Sequence, residues 1–400
     1  MTETFAELWQ STLRRHNRVE RWRALKFRSA LVAVAASVGL AGYAGVATGS
    51  AGGVSADLAG LRPPLEQPAA WTGSLPADDS PAHLAVAAVA PRPERLPVIF
   101  DTDMVNSIDD SLALAMLHGY EDRGMIDLLA VTVSYDDPAV APYIDAVNTW
   151  YGHPDVTIAV IGANGVDEGR DAFHRQVAAD ARFPHDITES AQVDRALSQL
   201  RRRLAAEADH SVVIVSTGFS TNLAQLLASP ADDVSPLDGH ALAAAKVKLL
   251  AVSAGDVVRG QPEFNTARDP LSARIVFDQW PTPVVVDEWH VGANLPFPTE
   301  ALGDSPDNPV LAAAVHYGAN ALLVDFPYRP PSFDPATVLA AVEPGTYLGV
   351  GEPGHVTIDE QLVARFAPDP GGNHRVLQRP TDPAATAAIT ARFAELVSHP

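Results

Sequence analysis

Four aspartates, Asp101, Asp103, Asp109 and Asp110, occur within ten positions of the segment "VIFDTDMVNSIDDSLALAMLH" at residues 98–118. Carboxylates at that density repel one another, so a cation is the simplest means of holding them together. Ca²⁺ takes six to eight oxygen ligands from carboxylates, carbonyls and water. Zinc is disfavoured because the chain has no cysteine and no paired-histidine spacing. The sequence therefore predicts a calcium site.

The competing interpretation of the same residues is structural. A helix is predicted to begin near Ser111, and its N-terminal amides and dipole favour anions in the first turn. A capping role would explain Asp109 or Asp110. It would explain one aspartate, not four.

Short β-branched runs recur through the chain and alternate with segments of helical spacing. These runs lie at residues 97–100, 128–133, 156–161, 211–216, 247–253 and 283–287. The alternation predicts an α/β fold with a mostly parallel, doubly wound sheet. Polar loops follow the strands, and because the carboxyl ends of parallel strands meet at one edge, we expect their acidic side chains to converge there.

Two enzyme interpretations of these loops compete. In the first, "VIFDTD" and "VVIVSTG" are typical of a haloacid-dehalogenase-type phosphatase, with Asp101 as nucleophile, Asp103 as acid and Ser216 as phosphate ligand. This interpretation leaves the rest of the chain unexplained.

The second interpretation covers far more of the sequence. The aspartate cluster, "VSTGFSTNLAQLL" (215–227), "PEFNTARDPLSA" (262–273) and "RPPSFDPATVL" (329–339) resemble, in that order, the motifs of the inosine-uridine-preferring nucleoside hydrolase family. The resemblance runs from about Leu96 to at least Val376. It implies a nucleoside hydrolase-type domain over residues 96–400 that cleaves a ribonucleoside, or a related N-riboside, into free base and ribose.

The resemblance also implies a role for individual residues. Ca²⁺ would be held by Asp103, Asp110, the main-chain carbonyl of Thr217, and Asp334. Asp103 would take the proton from the attacking water. Asp109 would accept a hydrogen bond from a ribose hydroxyl, so Asp103 and Asp109 are the expected catalytic residues.

Three further positions are expected to bind the sugar. Glu263 and Asn265 are spaced i, i+2, so an extended segment would present both on one side, where they resemble the family's ribose-gripping pair. Asp137 stands where many relatives have an asparagine that touches the ribose.

Several positions depart from the family pattern. Val105 replaces the usual glycine and Ser107 the usual aspartate of the opening motif, and Phe333 stands where purine-cleaving relatives carry a histidine that protonates the leaving base. His290 is one candidate for that proton. His118, His153 and His210 are expected to be surface or loop histidines.

Two aspartates that precede prolines have a structural alternative. Asp269 and Asp334 each precede a proline, which is a good N-cap and N1 pair for a helix. The cap is preferred for Asp269, and the metal role for Asp334.

The N-terminal hundred residues have a different composition. Residues 1–28 carry seven Lys/Arg against three Glu and are expected to be a cytoplasmic N-terminus. Residues 29–50 contain no charged side chain and are predicted to be a transmembrane signal-anchor, or alternatively a cleaved signal peptide. The Pro/Ala-rich residues 51–95 are predicted to be a linker. The domain is thus expected outside the cell, anchored to the membrane or secreted.

The net charge of −21 disfavours a nucleic-acid partner. The expected partners are a small-molecule nucleoside and, through the N-terminal segment, a membrane, and the sequence leaves room for a homo-oligomer. A surface-anchored protein that binds a nucleoside or sugar without turning it over is the alternative to the hydrolase.

Overall fold

The structure, a computed structural model, describes residues 95–104, 107–162 and 173–398. The predicted cytoplasmic N-terminus, transmembrane segment and nearly all of the linker lie outside these residues, as does Val105. Within the described ranges, none of the helices combines the length and the apolar character that a membrane crossing requires.

The strands are short and strongly apolar. In chain order they are β1 (Leu96–Thr102), β2 (Ile126–Val133), β3 (Thr157–Val160), β4 (Asp194–Arg195), β5 (Val212–Ser216), β6 (Val247–Ser253), β7 (Val284–Asp287), β8 (Gly349–Val350), β9 (Gly354–Ile358), β10 (Ala364–Pro368) and β11 (His374–Gln378).

Helices follow most of these strands. They are α1 (Asp109–Asp122), α2 (Val140–Trp150), α3 (Phe173–Ala178), α4 (Ala196–Ala206), α5 (Thr221–Ala228), α6 (Gly239–Lys246), α7 (Phe264–Arg268), α8 (Pro270–Gln279), α9 (Trp289–Gly292), α10 (Pro309–Tyr317), α11 (Phe333–Val342) and α12 (Pro383–Val397). Short 3₁₀ turns lie at Ser190–Gln192 and Thr299–Leu302, and a π-helical turn lies at Gly318–Leu322.

The strands form a sheet in the order β10-β9-β11-β7-β6-β5-β1-β2-β3-β4, and β8 pairs with β11. Every neighbouring pair from β11 to β4 is parallel, whereas β8, β9 and β10 add antiparallel pairs at one end. The α/β sheet predicted from the sequence is confirmed, with an antiparallel edge that the sequence did not indicate.

Helices cover both faces of the sheet, because alternate residues of a strand point to opposite sides. Val98 and Phe100 of β1 belong to a core that includes α1, α11 and α12. Ile99, between them, belongs to a second core built with α4, α5, α6 and α8. Burial on both faces explains the continuous apolar runs of the central strands.

The carboxyl ends of the central strands are aligned in the sheet register. Asp101 of β1 is paired with Ser216 of β5, and Ser253 of β6 with Asp287 of β7. The loops after these strands therefore meet at one edge of the sheet, as expected for a doubly wound fold.

Candidate metal and substrate site

Three structural elements bring the acidic residues together at this edge. Asp103 follows β1, Asp109 and Asp110 begin α1, and Asp334 is the second residue of α11. The N-cap of α1 is Ile108, which makes no side-chain cap bond, so the capping role considered for Asp109 and Asp110 is wrong. Both lie in the first helical turn, where the dipole favours negative charge.

The carboxylates of Asp109, Asp110 and Asp334 each place an oxygen within 4.8 Å of the others. Asp103 also contacts Asp110, and all four residues are buried. The Oδ2 atom of Asp103 is buried without a hydrogen-bond partner in the described part of the chain. The four carboxylates thus form one buried cluster.

Burial and mutual repulsion make the charged forms of these groups costly. Burial raises the pKa of Asp109 to about 7, with the charge of Asp110 adding to the effect. Burial first, and the neighbouring aspartates next, raise the pKa of Asp103 and of Asp334 well above the usual range. Positive charge placed near such buried groups favours their ionised forms.

The donor set fits a hard divalent cation. Its atoms are carboxylate oxygens, with the orphaned Oδ2 of Asp103 among them, and no sulfur or imidazole belongs to the group. Oxygen-only sets suit Ca²⁺ and Mg²⁺ rather than zinc. A bound cation would offset the repulsion that raises the pKa values of this cluster.

Hydroxyl groups hold two of the carboxylates in place. The Thr102 hydroxyl donates to Asp110, and the Ser107 hydroxyl donates to Asp109. Ser107, a departure from the family pattern, therefore orients a site residue. The Thr217 hydroxyl also approaches Asp110, with an Oγ1–Oδ1 distance of 3.4 Å.

Asn265 fixes the main-chain carbonyl predicted as a metal ligand. Its Nδ2 atom donates to the Thr217 oxygen at 2.8 Å and to the Ser253 oxygen at 3.1 Å. One amide thus joins the loops after β5 and β6. The Thr217 carbonyl keeps a second lone pair for another partner.

The predicted extended conformation of the Glu263–Asn265 segment is wrong. Glu263 is the N-cap of α7, and Asn265 lies inside that helix. The Glu263 carboxylate accepts from the backbone N–H groups of Gly255 (2.9 Å), Asn265 (2.8 Å) and Thr266 (3.1 Å). The two side chains therefore do not share a strand face, and Glu263 is largely occupied in ordering the loop after β6.

Asp137 has strong protein partners. Arg175 donates to its Oδ2 atom through Nε at 3.0 Å and through a second guanidinium nitrogen, and His174 Nε2 lies 3.2 Å from Oδ1. The backbone N–H of Ala139 donates to Oδ1 at 2.8 Å. Despite burial, the neighbouring His174 and Arg175 lower the pKa of Asp137, which keeps this carboxylate ionised. Its predicted contact with the ribose would have to share these partners.

The carboxylate of Asp101 links β1 to β2, β5 and α5 through hydrogen bonds. Thr132 Oγ1 (2.6 Å), Asn222 Nδ2 (2.7 Å) and Ser216 Oγ (3.3 Å) all donate to its carboxylate. Two of the three residues that the phosphatase interpretation needs, Asp101 and Ser216, are therefore hydrogen-bonded to each other in the interior, which disfavours that interpretation.

The segment around Phe333 packs against α9. The ring centroids of Phe333 and Trp289 are 6.1 Å apart, and Gly292 touches the Phe333 backbone so closely that a Cβ atom there would lie 2.4 Å from the Phe333 Cα. His290 lies on the same short helix, and its buried Nδ1 atom has no hydrogen-bond partner among the described residues.

Two acidic residues at the end of β7 had no role assigned from the sequence. Burial raises the pKa of Asp287 well above its usual range, and raises that of Glu288 to about 7. Thr337 of α11 donates to Asp287 at 2.9 Å, which ties this strand end to the helix that carries Asp334. In the sequence, only their position at the end of a buried strand, in "VVVDEWH", indicates that they lie at the same edge of the sheet as the site.

The other expectations have mixed outcomes. Asp269 caps α8 as predicted, accepting from the Ser272 N–H at 3.2 Å. The cap alternative for Asp334 is wrong, since the N-cap of α11 is Ser332. The expectation of a surface position for His118 is also wrong, because this residue is completely buried in α1.

The raised pKa values predict how the stability of the metal-free protein depends on pH. Between about pH 4 and 7, folded Asp109 holds a proton that the unfolded chain releases, so the free energy of unfolding falls as pH rises through this window. In chelator, we expect a higher melting temperature at pH 5 than at pH 8, and Ca²⁺ should raise it more at pH 8. Equal stabilisation by Ca²⁺ at both values would contradict a cation in this cluster.

Comparisons with known proteins agree with this fold. The model of the family described as "Inosine-uridine preferring nucleoside hydrolase" matches residues 98–365. A solved plant nucleoside hydrolase, PpNRh1, is 20% identical with a TM-score of 0.57, covering 77% of this chain and 100% of its own. None of the curated proteins matches the sequence.

Two further solved structures share the fold. An inosine-guanosine nucleoside hydrolase is 18% identical with a TM-score of 0.57, over 76% of this chain and 99% of its own. An inosine-uridine preferring nucleoside hydrolase from Bacillus anthracis is 15% identical with a TM-score of 0.52, over 75% of this chain and 99% of its own.

Proposed function

The chain belongs to the inosine-uridine preferring nucleoside hydrolase family, a family of N-glycosidases that act on nucleosides, and we propose that it is a Ca²⁺-dependent member. Its substrate would be a ribonucleoside or related N-riboside, and its products the free base and ribose. The observation that carries this proposal is the buried group of four aspartates, with the unpartnered Asp103 Oδ2 among them.

Asp103 is the proposed base. Its Oδ2 atom lies in the pocket without a protein donor, so it is available to accept a proton. The oxygen of a water molecule would form a bond to C1′ of the ribose as the C1′–N bond breaks, and the bonding pair would leave on the base nitrogen. The proton that the water loses would pass to Asp103.

The surrounding carboxylates stabilise the sugar as the bond breaks. Glycoside cleavage passes through an oxocarbenium-like state, and preorganised negative charge lowers its energy. Asp109 would accept a hydrogen bond from a ribose hydroxyl, and Asp103, Asp110, the Thr217 carbonyl and Asp334 would hold the Ca²⁺. When bound, the ion supplies the positive charge that lowers the pKa values of these aspartates and of the attacking water.

A nucleoside panel tests the proposal directly. The full chain in Ca²⁺ should release free base from at least one of inosine, guanosine, adenosine, uridine and cytidine, and chelator should stop the release. Absence of product in a protein that binds Ca²⁺ would favour the alternative of a nucleoside- or sugar-binding protein without turnover. An Asp145→Asn control removes a buried carboxylate outside the cluster, which accepts from the Asp186 and Ile187 N–H groups.

Asn265 is a positioning residue in this scheme. Asn265→Ala removes both bonds that hold the Thr217 and Ser253 carbonyls, and loss of such an outer partner typically costs about 10–100-fold in metal affinity. We expect a calcium affinity lower by that factor, with activity largely restored at saturating Ca²⁺. Calcium titration by calorimetry measures the first effect, and rates at two calcium concentrations measure the second.

Asn373 provides a matched control for Asn265. Its Nδ2 atom also donates to two carbonyls, those of Trp280 (2.9 Å) and Thr282 (3.0 Å), at the start of β11. Asn373→Ala should leave calcium affinity unchanged. An equal loss in both variants would mean that general loosening of the fold, rather than the Thr217 carbonyl, sets the affinity.

We also propose that the domain lies outside the cytoplasm, on the basis of the sequence alone. Seven basic residues before an uncharged segment favour an N-terminus inside and a C-terminal domain outside. Protease added to intact cells should therefore remove the domain. Protection in intact cells, together with digestion after lysis, would contradict this orientation.

A further inference from the structure

A second group of metal-ligand types lies toward the other end of α1. Glu121 Oε2 is 3.3 Å from His153 Nδ1 and 3.7 Å from His118 Nδ1. One ligand atom from each residue lies within 4.8 Å of the others. At 1.5 Å per residue, these positions are about 15 Å along the helix from its acidic start. The group is therefore separate from the aspartate cluster.

The local fold explains why the three residues meet. His118 and Glu121 are three positions apart on α1 and share one face. After α2 the chain reverses at Gly152, which has φ of +81°, and the His153 N–H donates to the Asn148 carbonyl at 2.8 Å. This turn directs His153 to α1, with the His118 and His153 ring centroids 5.0 Å apart.

Hydrogen bonds on the far side of each ring fix the tautomers. His118 Nε2 lies 2.8 Å from Asn148 Oδ1, and His153 Nε2 lies 2.9 Å from Asp122 Oδ1. Both partners are acceptors, so in the neutral imidazole each Nε2 carries the proton and each Nδ1 offers its lone pair. Metal-binding histidines are commonly oriented in this way, by a carboxylate or carbonyl on the distal nitrogen.

The Nδ1 and Oε2 atoms that face one another in this group consequently have no hydrogen-bond donor. His118 Nδ1 and Glu121 Oε2 are buried and have no hydrogen-bond partner in the described ranges, and His118 is 0% exposed. Two imidazole lone pairs and a carboxylate oxygen that converge in this way repel one another unless a positive charge lies between them. Burial lowers the pKa of His118, which disfavours a proton as that charge at neutral pH.

We propose that His118, Glu121 and His153 bind a transition-metal cation of the Zn²⁺ class, independently of the aspartate cluster. Two imidazoles and one carboxylate form a donor set typical of Zn²⁺, with the fourth position left for water. The His153 side chain is 20% exposed, so solvent reaches the site from that side. Ca²⁺ is a poor occupant, because it takes six to eight oxygens. The ion would tie the C-terminal half of α1 to the turn after α2.

The test uses ZnCl₂ and the full chain kept in saturating Ca²⁺. Calorimetry should show one equivalent of Zn²⁺ bound, and Zn²⁺ should raise the melting temperature. His153→Ala removes a ligand from a partly exposed turn, and Glu121→Gln removes the carboxylate charge while keeping an acceptor for the Leu128 N–H. Each should weaken Zn²⁺ binding by more than the roughly 10–100-fold that an outer-shell partner contributes.

His355 is the matched control. Like His153, it pairs with an aspartate through Nε2, at 3.2 Å from Asp369 Oδ2, but it lies on β9. His355→Ala should bind Zn²⁺ as the unaltered protein does. The proposal is overturned if the unaltered protein binds no Zn²⁺ in the presence of Ca²⁺, or if a folded His153→Ala or Glu121→Gln protein binds it with unchanged affinity.

Discussion

Asp110→Asn is expected to lower calcium affinity by roughly two orders of magnitude or more, since calcium sites are tuned over wider ranges than this by ligand charge. The substitution removes one negative charge from the cluster and keeps an acceptor for the Thr102 hydroxyl, so the local hydrogen bond survives. Calorimetric titration of metal-free protein with CaCl₂ measures the effect.

The same variant should have opposite effects on stability with and without the ion. In chelator, loss of one buried charge leaves the melting temperature equal or higher, because burial penalises ionisation throughout the cluster and the charge of Asp110 raises the pKa of Asp103 and Asp334 further. In Ca²⁺ the melting temperature should fall below that of the unaltered protein, because binding to the folded state no longer stabilises it.

Asp145→Asn is the control for these measurements, since it neutralises a buried aspartate of α2 outside the cluster. It should bind calcium normally, whatever it does to stability. An unchanged calcium isotherm for Asp110→Asn would remove Asp110 from the proposed ligand set.

The alternation of apolar runs and helical segments was enough to predict the α/β sheet. Burial on both faces makes a parallel strand apolar at every position, which is a strong local signal. The antiparallel edge gave no comparable signal, because β9 alternates between buried and exposed residues and only the first residue of β10 is buried. Edge strands of this kind depend on tertiary pairing more than on composition.

The candidate site was accessible from the sequence only in part. Asp103, Asp109 and Asp110 are neighbours in the chain, but Asp334 lies more than two hundred positions away and was connected to them by family resemblance, not by spacing. The conformation of Glu263 and Asn265 was missed because an N-cap and a helical residue have the same i, i+2 spacing as a strand pair.

Histidine environments were the least predictable feature. His118 lies on α1, where all residues but the last are buried, so no polar face indicates its surroundings. Its partner His153 is 35 positions away in the sequence and reaches it through a turn at Gly152. A pair formed by tertiary packing has no recognisable spacing.

Asp103→Asn is expected to lower kcat by about 10²–10⁴-fold, the usual contribution of a general base, on every substrate the protein turns over. An amide cannot take the proton from the attacking water, and its charge is lost from the cluster as well. Rates should therefore be measured at saturating Ca²⁺, with the calcium isotherm of the variant recorded, so that the loss of the base is separated from the loss of the ion.

The choice of substrate distinguishes the role of the general base, Asp103, from the role of the acid that protonates the leaving group. Phe333 stands where some relatives carry a histidine that protonates the base, and it packs against Trp289. A nitrophenyl riboside, whose leaving group needs little protonation, should be cleaved about 10²–10⁴-fold faster than inosine, because that factor is the usual contribution of a general acid. Asp103→Asn should slow both substrates by about 10²–10⁴-fold, since both need the attacking water.

Comparable rates on the two substrates would show that an efficient acid protonates the leaving group. His290 is then the first residue to substitute, because its buried Nδ1 atom has no hydrogen-bond partner within the described chain. In that case His290→Ala should slow the cleavage of inosine and leave the cleavage of the nitrophenyl riboside unchanged, since only the base of inosine must be protonated to leave. An equal loss on both substrates would instead indicate that α9 holds the pocket in shape, because Gly292 and Trp289 of this helix pack directly on Phe333, next to Asp334.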